Sequence, residues 1–171
     1  MVTRSNNGDK LEAECKFGLL KYFGYAFKFP DTRVLRINKQ IKEEKIGHEI
    51  HQVWAGQMPS DFYAVKYGIP YLLECKSVQI NIFSFTNFKE HQLISLKNHK
   101  EAGGKSVIII QFRLDTIETF VLDIDDYLNF VKIMIRKSFT LEFCQENFKR
   151  LGREQVIIND KKVWILSLSD I

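Results

Sequence analysis

The run VIIIQF at residues 107–112 constrains the fold more than any other stretch of the chain. A continuous apolar run of strand length has no side to offer water, so it reads as a central strand covered on both faces. With 171 residues and 45% hydrophobic content, the chain can supply that cover within one domain, 1–171. Residues 9–23 read as a helix, because Leu11, Cys15, Leu19 and Tyr22 recur at helical spacing and Gly24 ends the pattern. Residues 25–29 and 34–37 are short strands split by Pro30 and Asp31. The stretch 38–59 is polar, charged and aperiodic, and it is long for a connection inside a compact domain. Residues 62–65 and 71–75 form a hairpin about Gly68. A second helix spans 87–102, opened by an Asn87 and Glu90 capping pair and stopped by Gly103 and Gly104. Beyond the central run lie a strand at 116–122, helices at 125–136 and 140–151, and a last hairpin, 156–158 with 163–166, about Asn159 and Asp160. This order gives an α/β domain with a single mixed sheet flanked by helices.

The formal charge of +4 is compatible with a polyanion partner but weak as a sign of one. Three scattered cysteines, Cys15, Cys75 and Cys144, form no paired motif and read as reduced thiols in a cytoplasmic protein. The opening MVTRSNNGDK lacks the apolar core of a signal peptide, and no apolar run approaches a membrane span.

The hairpin SDFYAVKYGIPYLLECK carries the chemistry. With the turn at Tyr67 and Gly68, Val65 faces Pro70, Tyr63 faces Leu72 and Asp61 faces Glu74, while Lys76 shares the face of Glu74. Like charges directly opposite each other destabilise a sheet, so the pair implies a cation. Two converging carboxylates, with the backbone carbonyl of Cys75, make a hard oxygen site suited to Mg²⁺. Lys76 stands where it can orient or deprotonate a water, or steady a phosphate. The pattern D-x(12)-E-x-K is also that of a solvated sheet face with a cross-strand ion pair. Leu72, Tyr63 and Val65 on the same face favour a partly closed site.

These residues resemble the PD-(D/E)XK nucleases, and more narrowly the RecU family of Holliday junction resolvases, with archaeal Hjc a more distant likeness. The resemblance rests on GDKLE at 8–12, KFPDTRVLRI at 28–37, SDF at 60–62 with ECK at 74–76, and NFKEHQLISL at 87–96, and spans 8–124. It implies a restriction-endonuclease-like core whose insertion, 38–59, is a stalk entering a four-way junction. It implies Asp61 and Glu74 as principal ligands of Mg²⁺, with Mn²⁺ as a substitute. Glu12 joins the metal site directly or through water, Lys76 is the catalytic lysine and Gln92 is a helix residue reaching the site. His91 in the motif reads as structural. The family works as a homodimer that nicks junction DNA symmetrically in recombination and repair. Lys28, Arg33, Arg36, Lys39, Lys42 and Lys45 are the phosphate contacts expected. Residues 125–171 have no assigned role.

Other readings compete. A duplex-cutting restriction- or repair-type nuclease and a non-catalytic junction-binding module would share the fold. Glu12 can pair with Lys16 one turn on, and Glu14 rivals it for the site. Gln92 can be a buried hydrogen-bonded glutamine, His99 an ordinary helix residue, and Cys75 a small core residue facing away from Glu74. Phe83 and Phe85 read as core. His48, Glu49 and His51 lack the spacing of a zinc site.

Overall fold

The computed structural model of the chain describes residues 7–29, 58–169 and 171. The strand expected at 34–37, nearly all of the insertion at 38–59, the trio His48, Glu49 and His51, and the phosphate contacts Arg33, Arg36, Lys39, Lys42 and Lys45 lie outside the described residues.

In chain order the elements are α1 (Asn7–Phe23), β1 (Tyr25–Lys28), β2 (Phe62–Lys66), β3 (Ile69–Val78), β4 (Ile82–Ser84), a 3₁₀ turn at Phe85–Asn87, α2 (Glu90–Glu101), β5 (Lys105–Arg113), β6 (Ile117–Asp123), α3 (Ile124–Ile133), β7 (Ser138–Thr140), α4 (Leu141–Asn147), β8 (Lys149–Leu151), β9 (Arg153–Ile158) and β10 (Lys161–Leu166). The main sheet runs β1-β2-β3-β5-β6-β8. Only β3 and β5 pair in parallel; the other neighbours are antiparallel, so the sheet is mixed.

Strand β5 is buried from Ser106 through Phe112, and its side chains divide by period two. Val107 and Ile109 pack with Leu11, Cys15 and Leu19 of α1. Ile108, Ile110 and Phe112 pack with Leu96 of α2 and Tyr127 of α3. Both faces are therefore covered, as the apolar run requires. The run is not wholly apolar: Gln111 is fully buried, and its amide nitrogen donates to Thr119 Oγ1 at 3.0 Å and Glu14 Oε2 at 3.2 Å.

The hairpin register is the expected one, with Val65 opposite Pro70 and Tyr63 opposite Leu72. The C-terminal hairpin also forms, turning on Asn159 and Asp160 at φ 49° and 61°, the left-handed pair that a two-residue turn demands. Three helices differ from expectation: the one expected at 125–136 runs Ile124–Ile133, and the chain then turns toward β7 at Ser138. The helix expected at 87–102 starts at Glu90, because Phe85 and Phe88 are drawn into the core and hold the chain in a 3₁₀ turn. Its N-terminus is closed by Gln92, not by Asn87: the Lys89 N–H donates to Gln92 Oε1 at 3.1 Å. The helix expected at 140–151 stops at Asn147, because Lys149–Leu151 pairs with β6 as the sheet edge. His99 is more than an ordinary helix residue. It meets Ser106 Oγ at 3.1 Å, and its ring occupies the space a side chain on Gly104 would need. Among the described residues no helix is long and apolar enough to cross a membrane.

Hairpin β9–β10 lies over α1. A Cβ at Gly18 would stand 2.5 Å from the Leu166 carbonyl oxygen and 3.2 Å from the Leu168 side chain. Replacing a mid-helix glycine by alanine ordinarily gains about 1 kcal/mol. Here a backbone oxygen blocks the new atom, and overpacking of this kind costs about 1–3 kcal/mol. Gly18→Ala is therefore expected to lower Tm by up to a few degrees in a thermal melt. A rise in Tm would contradict the close approach of α1 and β10.

Candidate active site

The site forms where β2 and β3 part. Their ladder ends at Phe62 and Leu73, and Asp61 and Glu74 are the next residues on each side. Ser60, buried, fixes this junction by donating its hydroxyl to the carbonyls of Leu73 at 2.8 Å and Phe62 at 3.2 Å. The Asp61 N–H donates to Leu73 O at 3.2 Å, and Asp61 O accepts from the Phe29 N–H at 2.9 Å. Asp61 is thereby held with Oδ2 2.7 Å from the Cys75 N–H. Within a strand, a residue's N–H and C=O point to the same edge. The Cys75 carbonyl consequently faces the same open edge as Asp61. The Cys75 side chain packs in the α1 core, away from Glu74, as expected.

Glu74 is fully buried. Its Oε1 accepts from Lys76 Nζ at 2.5 Å and from Gln92 Nε2 at 2.5 Å, while Oε2 is buried with no partner among the described residues. Lys76 Nζ lies 5.6 Å from the centre of the Phe88 ring. Gln92 thus does two jobs with one amide: its oxygen closes the start of α2 and its nitrogen holds Glu74. Burial pushes the Glu74 carboxyl up to about 7; the Asp61 charge adds to the rise and Lys76 opposes it. Burial likewise raises Asp61 to about 6, against the pull of the Cys75 N–H and Lys76 and with the push of Glu12.

Glu12 stands close enough to raise both groups, but its Oε2 is engaged by Lys28 Nζ at 2.5 Å, not by Lys16. Burial pulls the Lys28 ammonium down, yet the hydrogen bond it donates to Glu12 and the charges of Glu12, Asp61 and Asp9 leave it raised. Lys28, expected as a phosphate contact, is here the partner of Glu12. Glu14 is a different kind of acid. It is buried, and its two oxygens accept from Arg153 at 2.6 and 3.0 Å, Gln111 at 3.2 Å and Arg113 at 3.4 Å. With both oxygens filled, it has nothing left for a cation. The polar Gln111 within an apolar run was the sequence signal for this network; nothing in the sequence located Arg153 beside it.

Among the described residues no cluster of three or more His, Cys, Asp and Glu side chains is arranged as a metal cage. Asp61, Glu74 and a backbone carbonyl are a smaller set, of the kind Mg²⁺ accepts because it keeps several waters. The buried Oε2 of Glu74, without a partner among the described residues, and two carboxyls raised chiefly by burial, Glu74 also by the Asp61 charge, fit a divalent cation at this edge.

Burying these acids side by side has a cost in metal-free protein. Glu74 rises from its ordinary 4.5 to about 7 and Asp61 from 3.8 to about 6 on folding. The unfolded chain therefore ionises first as pH rises, and stability is lost across that window and stays lost above it. With divalent cations chelated, Asp61→Asn is expected to raise Tm, by about 2–4 °C for each kcal/mol of repulsion removed. The gap over wild type should widen between pH 5 and pH 8 in melts at both values. A gap that narrows would contradict the electrostatic cost.

The family model described as Recombination protein U, RecU, matches residues 28–162. The match begins after Glu12 and runs well past 124, through the C-terminal third, where the sequence itself offered little resemblance. No curated protein matches the chain. A similar solved structure is Hjc, a Holliday junction resolvase from the archaeal hyperthermophile Archaeoglobus fulgidus, at 11% identity over 68% of this chain and 93% of that one, with a TM-score of 0.38. A likeness that distant carries no weight beside the family match. Since that match takes in the chain from the end of β1 to the start of β10, including Asp61, Glu74, Lys76 and Gln92, the chain belongs to the RecU family of recombination proteins.

Proposed function

We propose that the chain is a divalent-metal-dependent DNA endonuclease that resolves four-way junctions as a homodimer. The observation that carries the reading is Glu74, a fully buried carboxylate with one oxygen unpartnered among the described residues, beside Asp61 at an open sheet edge. Family membership supports a role in recombination, and the resolvase-like motifs at 60–76 and 87–96 support the four-way junction as substrate.

Asp61, Glu74 and the Cys75 carbonyl would hold the cation, with Glu12 acting through water because Lys28 already occupies it. When bound, Mg²⁺ supplies Lewis-acid stabilisation of the phosphate charge and lowers the pKa of water. Gln92 fixes Glu74 Oε1 so that Oε2 is left free for the cation. Lys76, held over Phe88 and against Glu74, carries its positive charge at the scissile phosphate and orients the attacking water. The water oxygen bonds to phosphorus as the bond to the 3′ oxygen breaks, leaving a 5′-phosphate and a 3′-hydroxyl.

A cleavage assay tests this on a synthetic four-way junction and a linear duplex of the same sequence, with Mg²⁺ or with EDTA. Paired symmetric nicks in the junction alone, and with Mg²⁺ alone, are expected; cutting of both substrates would overturn the junction selectivity. Asp61→Asn should abolish cleavage while binding persists, and undiminished cutting would sink the metal site. Gln92→Leu is expected to raise the Mg²⁺ concentration for half-maximal cleavage by about 10–100-fold. Its Tm should also fall, because the variant loses a helix cap worth about 1 kcal/mol and a hydrogen bond to a buried carboxylate worth about 1.5–3 kcal/mol. An unchanged Mg²⁺ requirement would limit Gln92 to capping α2.

A further inference from the structure

Two stretches of the chain, 75–89 and 127–141, contain no aspartate or glutamate, in a sequence with 21 acids. They hold five cations: Lys76, Lys89, Lys132, Arg136 and Lys137. The fold brings these two stretches together. Strands β4 and β7 pair through Ile82 with Thr140, Phe83 with Phe139 and Ser84 with Ser138. The Phe85 N–H donates to Lys137 O at 3.1 Å and the Leu141 N–H to Asn81 O at 2.9 Å. Beneath them the rings of Phe85, Phe88, Tyr127 and Phe139 pack edge to face at centroid distances of 4.7–6.0 Å. The platform is therefore well supported from below.

The platform adjoins the candidate active site. Strand β3 ends at Val78, two residues past Lys76, and Phe88 packs both against Lys76 and into the aromatic layer. The loop from α3 to β7 closes it off. Lys137 Nζ donates to Val131 O at 3.0 Å and the Met134 N–H to Phe130 O at 2.9 Å, which fixes the loop. Ile135 projects 99% exposed and Ile133 73% exposed, with Lys132 and Arg136 exposed beside them. Among the described residues neither Lys132 nor Arg136 makes an ion pair. Asn81, Thr86, Asn87 and Lys89, also exposed, add hydrogen-bonding groups with no carboxylate among them.

We propose that this face, β4, β7, the end of α3 from Lys132 and the loop at 134–137, is where a duplex arm of the DNA substrate lies as its phosphate enters the site. The proposal rests on the endonuclease reading above. Lys132, Arg136 and Lys89 engage phosphates, since cations on two stretches that carry no acid of their own match a polyanion and the neighbouring amide and hydroxyl groups suit phosphate oxygens. Ile133 and Ile135 pack against the sugar and base edges at the branch, the use that exposed apolar tips find on DNA. The face gives the C-terminal third a part in substrate binding.

The test is the double variant Lys132→Ala with Arg136→Ala, titrated against a four-way junction and a linear duplex in EDTA at several salt concentrations. Both side chains are exposed, so the melt should match wild type. Affinity is expected to fall about tenfold or more, and the slope of log K against log salt to drop by roughly 2, about 0.9 for each phosphate no longer neutralised. Ile135→Ser should weaken junction binding at an unchanged slope. Wild-type affinity and slope in the double variant would overturn this surface and leave the endonuclease reading standing. If wild-type protein binds neither DNA, both fall. Binding to phosphatidylserine vesicles that the double variant loses, with DNA affinity unchanged, would make the face a membrane contact and overturn the DNA assignment.

Discussion

A carboxylate with no exposed surface sets the terms for this structure. Glu74 sits in the middle of a sheet, on a strand whose neighbours are Leu73 and Cys75 in one core and Leu72 in the other. A charge in such a place is expensive unless it is paired and hydrogen-bonded. Lys76 and Gln92 satisfy one oxygen, and the second has no partner among the described residues. The rest of the site follows from that half-finished pairing: β2 stops one residue short, Ser60 holds its end, and Asp61 is left facing the same open edge.

Helix α1 serves both faces of the problem. Residues two apart on a helix point to different sides, so Glu12 and Glu14 meet different surroundings. Glu12 reaches the rim of the site and takes Lys28. Glu14 turns inward to Arg153, Gln111 and Arg113, a buried network that ties α1 to β5 and to the C-terminal hairpin. Losing one partner from such a network typically costs about 3–5 kcal/mol, because a buried charge is left alone. The close contact at Gly18 acts in the same direction. Together they hold the helix that carries Glu12 in a fixed relation to Asp61 and Glu74.

Much of this was legible in the sequence wherever local pattern and burial agree. The run at 107–112 fixed the centre of the sheet, and the turn residues at Gly68 and at Asn159 with Asp160 fixed both hairpins. The cluster of Asp61, Glu74, Lys76 and Gln92 followed from hairpin register and the family resemblance. What escaped depends on distant partners. The pairing of Lys28 with Glu12 was missed because their closeness in space is invisible along the chain. Gln92 read as a residue reaching the site or as a buried hydrogen-bonded glutamine; its capping role escaped because it depends on where α2 starts, and Phe85 and Phe88 decide that by packing inward. Helix α4 is short because Lys149–Leu151 finds an edge of β6, a tertiary pairing that outweighs helical periodicity.

The most direct test of the metal site is a crystal of the protein soaked with Mn²⁺ and measured at the manganese absorption edge. An anomalous peak is expected within coordination distance of the Asp61 and Glu74 carboxylates and the Cys75 carbonyl, with Glu12 joined through water. A peak elsewhere in the molecule, or none at this edge of the sheet, would contradict the assignment.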